Sequence, residues 1–322
     1  MTEVTEAPSM RLLITTKSEI AEGIFGFELV RPDGGELPEF TAGAHLDIVV
    51  PNGETRKYSL CGEPADLSRY QIAVKREDGG KGGSKSLCDE ANAGDTLEVS
   101  PPRNDFGLAP RVQNFLFIAG GIGITPILSM MHHLDATGAA KYKLVYLARS
   151  PAMTAFLDEL KAPKYRGKVT IHHDEGDPDR FFDLWPLLEQ QQARHVYCCG
   201  PRPLMEEVRA MTGHWSNVAV HFEDFGAEAG KPKPDDKPFR VRLARSGTVI
   251  EVPVGVTIME AMRAAGLRVA SSCESGTCGT CKTRLLAGVP DHRDLALAEF
   301  ERHDHIMLCV SRALSEEIEI DA

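Results

Sequence analysis

The chain has 322 residues, 42% hydrophobic and 26% charged, with 36 basic against 47 acidic side chains and a formal charge of −11 at pH 7. That length suits about two domains and leaves room for three small ones, and the acidic balance argues against a nucleic-acid partner, whose proteins carry basic surfaces. No run approaches the roughly 18 apolar residues of a membrane helix, and residues 1–10 lack the basic-then-apolar pattern of an export signal, so a cytoplasmic protein without membrane contact is expected.

Over residues 11–105, short β-branched or alternating runs such as 45–50 and 70–74 are separated by Pro and Gly turns. This predicts a small antiparallel β-barrel or sandwich, with a first domain over 1–107. Within it lies Arg56-Lys57-Tyr58-Ser59-Leu60. A guanidinium can grip a phosphate with two parallel bonds, an aromatic ring can stack on another ring, and a hydroxyl can donate to a flavin nitrogen. Taken alone, the same stretch reads as an ordinary half-buried strand. Downstream, Val74-Lys75 leads into a glycine-rich segment that reaches Gly82-Gly83-Ser84 and a short helix through Leu87. Free N–H groups at that helix start could seat a phosphate; without its neighbours the segment reads as a surface loop.

The texture changes near Arg111. Residues 114–119 form an uninterrupted apolar run ending in glycines, the pattern of a buried parallel strand. Similar runs at 144–147, 169–171, 196–199 and 218–220, with helical segments between most of them, predict a mostly parallel α/β domain over 108–226. Gly120-Gly121-Ile122-Gly123-Ile124-Thr125-Pro126 joins the first strand to a helix carrying Ile127, Leu128, Met131 and Leu134 on one face. Thr125 is placed to cap that helix and Pro126 suits its first turn. N–H groups at such a start, approached without side-chain hindrance, make a pyrophosphate site, although Pro126 takes the last position of the G-x-G-x-x-G pattern.

Cys199-Gly200-Pro201 ends another apolar strand, at the carboxyl edge where open α/β sheets bind ligands. The alternative for Cys199 is a small buried hydrophobe, the role expected of Cys198. His132-His133 and His172-His173 point in different directions within each pair, which suits metal ligation poorly, and are expected in solvent or loops. Asp174 could accept from an adenosine ribose hydroxyl and Arg149 could hold a 2′-phosphate, so these residues leave NADH and NADPH both open.

Residues 227–238 read AEAGKPKPDDKP, rich in Pro, Gly and charge with nothing to bury, which predicts an interdomain linker over 227–237. Beyond it, Phe239–Leu243 and Val249–Val252 alternate as a hairpin. Thr257 and Glu260 then match a capping box opening a helix that Gly266 would close.

Four of the eight cysteines fall in the last fifty residues: Cys273, Cys278 and Cys281 in a C-x4-C-x2-C run, and Cys309 28 positions later. That is the plant-type [2Fe–2S] spacing. Gly276 and Gly279 let one short loop fold closely around two irons and their sulfides, whose hydrogen bonds its N–H groups would supply. A zinc site usually carries a second C-x2-C pair, which is missing here.

These motifs carry family resemblances. Residues 238–322 resemble a plant-type ferredoxin, an α+β β-grasp fold, which implies Cys273, Cys278, Cys281 and Cys309 as cluster ligands. The GGIGITP and CGP segments resemble the NAD(P)-binding domain of the ferredoxin reductase superfamily, implying that Gly121, Gly123, Thr125, Cys199, Gly200 and Pro201 flank the nicotinamide. Residues 56–59 fit the same superfamily's R-x-Y-S motif. That likeness implies flavin contacts from Arg56, Lys57, Tyr58, Ser59, Val74, Lys75, Gly82, Gly83 and Ser84.

The order flavin, NAD, ferredoxin is similar to the phthalate dioxygenase reductase type, shared by carnitine monooxygenase and vanillate demethylase reductases, over nearly the whole chain. The resemblance implies FMN and NADH, with Ser59, Cys199 and Phe225 at the reacting centre; Phe225 would cover the flavin or nicotinamide, and Phe222 is its core alternative. Implied too is a reductase that passes electrons through flavin and cluster to the Rieske centre of a separate oxygenase acting on an aromatic or small organic substrate. No two-histidine, one-carboxylate iron triad is visible in this chain, which places oxygen activation in the partner. The rival expectations are an electron donor to a haem protein and a non-enzymatic iron–sulfur redox sensor.

Overall fold

In the computed structural model, residues 9–79, 82–225 and 232–322 are described. The chain divides into two units, Met1–Pro201 and Arg202–Ala322.

The first unit opens with β1 (Met10–Ala21), β2 (Ile24–Val30), β3 (His45–Val49), β4 (Thr55–Ser59), β5 (Tyr70–Lys75), α1 (Gly83–Glu90) and β6 (Thr96–Val99). The six strands pair antiparallel in the order β4-β3-β6-β1-β2-β5. Leu60, just after β4, bridges Ile72 in β5, and Cys61 N donates to Gln71 O at 2.9 Å. The two edge strands therefore meet and the sheet closes into a barrel. Alternation along the strands buries Leu12, Ile14, Phe27, Leu29, Leu46 and Ile48 inside, each worth about 1.5–3 kcal/mol of apolar burial. Leu87 and Cys88 of α1 join the same core.

Next come β7 (Asn114–Gly120), α2 (Ile124–Thr137), β8 (Lys141–Ala148), α3 (Leu157–Leu160), β9 (Val169–His173), α4 (Trp185–Leu188) and β10 (His195–Cys199). The four strands are parallel in the order β10-β7-β8-β9. The chain steps from β7 outward to β8 and β9, then returns to lay β10 on the other side of β7. A topological switch point thus lies between β7 and β10, where open α/β sheets leave a crevice at the strand ends. Ile127, Leu128, Met131 and Leu134 of α2 are buried as their spacing predicts, whereas α3 and α4 are single turns rather than full helices. Barrel and parallel sheet share one core: the Phe106 ring packs tilted against Tyr197 with centroids 5.2 Å apart, and the Tyr197 hydroxyl accepts from Ala109 N at 2.7 Å.

The second unit contains α5 (Arg202–Met211), β11 (Val220–Glu223), β12 (Phe239–Leu243), β13 (Val249–Val252), α6 (Ile258–Ala264), β14 (Lys282–Ala287), β15 (Pro290–Asp291), β16 (His305–Met307), β17 (Arg312–Ala313) and β18 (Glu317–Ile320). Its main sheet runs β13-β12-β18-β14-β16, with β12 and β18 parallel and the other neighbours antiparallel. α6 buries Ile258, Met259, Ala261 and Met262 in the core shared with this sheet. Its capping box forms as expected: Glu260 N donates to Thr257 Oγ1 at 3.1 Å and Thr257 N to Glu260 Oε2 at 2.8 Å. Gly266, at φ +80°, closes the helix, with Leu267 N donating to Met262 O at 3.0 Å. The three folds are those of the predicted class: an antiparallel barrel, a parallel α/β sheet and a mixed sheet with one helix.

Two local expectations fail. The strand predicted at 218–220 begins only at Val220, because Asn217–Ala219 closes a 3-10 turn that leaves Val218 73% exposed. Of the predicted linker, residues 227–231 lie outside the described residues, and the remainder is not free of buried groups. The Asp236 side chain is 6% exposed, bonded to Arg293 and 3.6 Å from Arg312 Nε, while Arg293 Nε also donates to Asp291 at 2.7 Å. Among the described residues no helix is long and apolar enough to cross a membrane.

Candidate functional site

Both loops singled out in the α/β sequence lie at the switch point. Gly120 ends β7, Gly121–Gly123 forms a 3-10 turn, and α2 follows at once. Gly121 has φ +53°, a left-handed conformation that favours glycine. At Gly123 the reason is space: a Cβ there would stand 2.1 Å from Cys199 O and 2.8 Å from Gly200 N. The glycine loop and the Cys199-Gly200-Pro201 segment therefore touch backbone to backbone. No side chain caps α2; the Ile124 N–H turns back to Gly121 O and Ile122 O and Pro126 has none, so an anion here would meet the glycine loop and the Thr125 N–H rather than a full helix start.

Thr125 is not the cap that its sequence position suggested. The 3-10 turn starts the helix before it, and the buried Thr125 hydroxyl donates to Ile122 O at 3.0 Å. Cys199 and Cys198 are both 0% exposed, and the Cys199 side chain packs in the shared core. Gly200 is half-buried and Pro201 exposed. In the second unit Phe222 is buried and Phe225 is 45% exposed.

The histidine pairs are not loose in solvent. His132 Nε2 lies 2.7 Å from Glu159, His172 Nε2 2.6 Å from Arg180 O, and His173 Nε2 2.9 Å from Thr154 Oγ1. The Asp174 carboxylate accepts from Gly176 N at 2.7 Å within its own turn, and the Arg149 side chain is exposed.

In the barrel, β4 alternates. Arg56 and Tyr58 pair with Ile48 and Leu46 on the core face, whereas Lys57 and Ser59 pair with Asp47 and His45 on the other. The four residues of the R-x-Y-S stretch therefore do not converge side chain by side chain. Arg56 lies against the start of α1, where a Cβ on Gly83 would stand 2.7 Å from Arg56 Nε. Its Nη1 donates to Thr55 O at 2.8 Å and pairs with Glu54 at 2.9 Å, while Nη2 is buried with no partner. Gly82, at φ +87°, begins α1 with no side-chain cap. An unpartnered guanidinium donor beside an uncapped helix start fits a phosphate.

Ser84 Oγ accepts from Glu77 N at 3.2 Å, and Lys75 pairs with Glu77 at 2.5 Å. Val74 is a core residue at 1% exposure, so neither its side chain nor its backbone presents open surface to a ligand. Ser59 is buried. The Tyr58 hydroxyl is buried without a partner, and burial pushes its phenol well above the ordinary range. Gly80 and Lys81 of the glycine-rich segment lie outside the described residues.

The four C-terminal cysteines gather as two thiol pairs. Cys273 Sγ lies beside the Cys278 side chain, whose thiol donates to Thr280 Oγ1 at 3.2 Å, and accepts from Ser275 N and Cys278 N, both at 3.4 Å. These contacts hold the Cys273 thiol well below its ordinary value. Cys281 is likewise lowered by the Cys309 thiol, which is itself raised. Gly276, at φ +79°, brings the loop so close to its support that a Cβ would meet Val310 Cγ2 at 2.7 Å. Among the described residues no three His, Cys, Asp or Glu side chains converge on a single-ion site. Two adjacent thiol pairs fit a two-iron cluster ligated by four cysteines better than one tetrahedral zinc.

Two residues that the motifs did not reveal also reach this region. Arg202 and Arg209 of α5 line a cleft with Thr277, Cys278 and Gly279. Their only signal in the sequence is a charged stripe on one face of an amphipathic helix.

Fold and site together define an iron–sulfur oxidoreductase built on a flavin-type barrel and a pyridine-nucleotide-type sheet. Residues 117–210 match the oxidoreductase NAD-binding domain, and residues 241–314 match the 2Fe-2S iron-sulfur cluster binding domain. Over 322 residues the chain is 51% identical to the phthalate dioxygenase reductase of Burkholderia cepacia, covering 100% of both. It is also 51% identical over 311 residues to the phthalate 4,5-dioxygenase oxygenase reductase subunit of Pseudomonas putida, covering 96% of each. A solved structure described as phthalate dioxygenase reductase, a modular structure for electron transfer from pyridine nucleotides to [2Fe-2S], matches with a TM-score of 0.70 at 50% identity, covering 98% of each chain. The chain belongs to the phthalate dioxygenase reductase family.

Proposed function

We propose that this protein is the NADH-dependent reductase component of a two-protein oxygenase system. It takes electrons from NADH through FMN and a [2Fe–2S] cluster to a separate Rieske oxygenase whose substrate is an aromatic carboxylate of the phthalate class. Residues 1–107 would hold the flavin, 108–226 the nucleotide and 238–322 the cluster, with 227–237 as the connection. We place the protein in the cytoplasm, where NADH is available.

The carrying observation is the contact of Gly123 with the Cys199 and Gly200 backbone at the β7/β10 switch point, in the same chain as a loop of paired thiols. Together the three groups supply the conversion of a two-electron hydride donor into single electrons. The protein's share is binding and orientation. Arg56 Nη2 and the N–H groups of Gly82, Gly83 and Ser84 would bind the flavin phosphate, with Lys57, Val74 and Lys75 along the same strands. Tyr58 and Ser59 would set the ring, Ser59 as a hydroxyl donor. Gly121, Gly123 and Thr125 would hold the pyrophosphate end of the nucleotide. Cys199, Gly200 and Pro201 would support its nicotinamide, and Phe225 would shield the ring from water. Cys273, Cys278, Cys281 and Cys309 would ligate the irons.

The reading is tested by mixing the NADH-reduced protein with a purified Rieske phthalate oxygenase and, separately, with a cytochrome P450. Reduction of the Rieske centre and formation of dihydroxylated product support it. Reduction of the haem alone would replace the proposed partner with a haem protein, and reduction of neither would remove the electron-donor role.

A further inference from the structure

α5 starts at the residue after Pro201 and carries Arg202, Glu206 and Arg209 at i, i+4 and i+7, along one face. Both arginines are spent on one short stretch of backbone, residues 293–297. Arg202 Nη2 donates to Arg293 O at 2.8 Å, with Nε held by Glu206 at 2.8 Å and Nη1 by Asp224 at 3.3 Å. Arg209 Nη1 donates to Asp294 O at 2.6 Å and Nη2 to Leu297 O at 2.5 Å.

That stretch is the support of the cysteine loop. Leu295 N and Ala296 N donate to Gly276 O at 2.9 and 3.1 Å, and a Cβ on Gly276 would stand 3.1 Å from Asp294 Cα. The Asp294 carboxylate, 0% exposed, accepts from Leu297 N at 2.8 Å and fixes the turn. Arg202 is charge-balanced by Glu206 and Asp224. Arg209 has no carboxylate within salt-bridge distance among the described residues, although Asp294, Glu299 and Arg302 lie near enough to act on it electrostatically, and it directs its charge at carbonyl oxygens beneath the loop.

We propose that Arg202 and Arg209 are positioning residues for electron entry into the cluster. They clamp residues 293–297 to α5, hold the cysteine loop in the shape that presents its N–H groups to the cluster sulfurs, and, through Arg209, place a positive charge that favours the reduced cluster. Cluster potentials respond to both hydrogen bonds and nearby charge. The clamp ties the cysteine loop to α5 within the second unit. The inference rests on Cys273, Cys278, Cys281 and Cys309 being the cluster ligands.

The test compares full-length holoprotein with R209M, which keeps the aliphatic stem, and R209K, which keeps the charge and one donor. Three readouts are taken: amide exchange over residues 276–297, the midpoint potential of the cluster by dye-mediated titration, and the EPR spectrum after dithionite reduction. In R209M the Leu295 and Ala296 amides should exchange about tenfold faster or more, as expected for losing a charged hydrogen bond. The potential should move negative and the EPR lines should shift. R209K should retain most of the potential while showing intermediate exchange. Flavin reduction by NADH should stay within about twofold of wild type in both variants.

Wild-type exchange, potential and EPR in R209M would overturn the clamp. Should R209M fail to fold, R209K and R202Q decide by the same readouts, and wild-type values in both overturn it. Dithionite bypasses the nucleotide, so wild-type protein that shows a cluster but no NADH reduction would count against the proposed function alone.

Discussion

Gly123 and Cys199 meet so closely that the glycine's missing side chain is the condition for the contact: a Cβ would fall 2.1 Å from the Cys199 carbonyl oxygen and 2.4 Å from its carbonyl carbon. Both atoms are backbone and cannot swing aside. The glycine loop after β7 and the segment after β10 are therefore one surface, built where the strand order reverses.

Replacing Gly123 with alanine should force these loops apart. Overpacking of this kind costs about 1–3 kcal/mol, and the displacement falls on the proposed nucleotide site. The expected result is a folded protein whose flavin is reduced by NADH at least about tenfold more slowly, with dithionite reduction of flavin and cluster unchanged. Stopped-flow absorbance with the two reductants separates the effects.

Arg56→Met should weaken flavin retention. The change removes a guanidinium whose Nη2 is buried without a partner beside Gly83, and a hydrogen bond to a charged group is worth about 1.5–3 kcal/mol. Flavin affinity should fall by about ten- to a hundredfold, read as fluorescence on titrating FMN into stripped protein. FMN binding as tight as wild type would remove Arg56 from the phosphate site.

Much of this was legible because the signals are local. The C-x4-C-x2-C spacing needs only one loop, and the capping box at Thr257 and Glu260 needs one helical turn. The apolar run before Gly120 reads as a buried strand whatever surrounds it. What was not legible depends on where other segments lie. Thr125 looks like a cap until a 3-10 turn starts the helix ahead of it. Asp236 sits among Pro, Lys and Gly and reads as solvated linker, yet it lies beside two arginines that arrive from residues 293 and 312. Arg209 reads as a surface charge, and only the fold brings Asp294 O and Leu297 O to it. Strand alternation also separates Lys57 and Ser59 from Arg56 and Tyr58, which a contiguous motif cannot express.

Asp236 should give the second unit a defined acid response. The hydrogen bond from Arg293 holds its carboxyl below the ordinary carboxylate range. A group lowered in the folded state contributes stability above its unfolded pKa, about 3.9, and loses it as pH falls through the folded value. Stability should therefore be insensitive to Asp236 from pH 7 to about 5 and decline below about 4. Asp236→Asn should cost about 3 kcal/mol at pH 7, the low end for breaking a buried pair because Asp291 remains on Arg293, and should flatten part of the acid decline. Urea unfolding at several pH values measures both.

Cys278→Ser should remove the cluster's visible absorbance and EPR signal while leaving the rate of flavin reduction by NADH within about twofold of wild type. Cys278 lies in the second unit with its three fellow cysteines, whereas the contact of Gly123 with Cys199 lies in the first. Loss of flavin reduction in a folded variant would reverse the proposed order of transfer.

The central claim is that one chain takes an electron pair as hydride from NADH and releases single electrons through its cysteine loop. Anaerobic titration of the purified protein with NADH, following flavin and cluster absorbance together, tests it most directly. The account predicts that substoichiometric NADH bleaches both flavin and cluster, with an EPR signal of the reduced [2Fe–2S] centre. A flavin left fully oxidised by excess NADH, in protein whose flavin and cluster dithionite reduces, would contradict it.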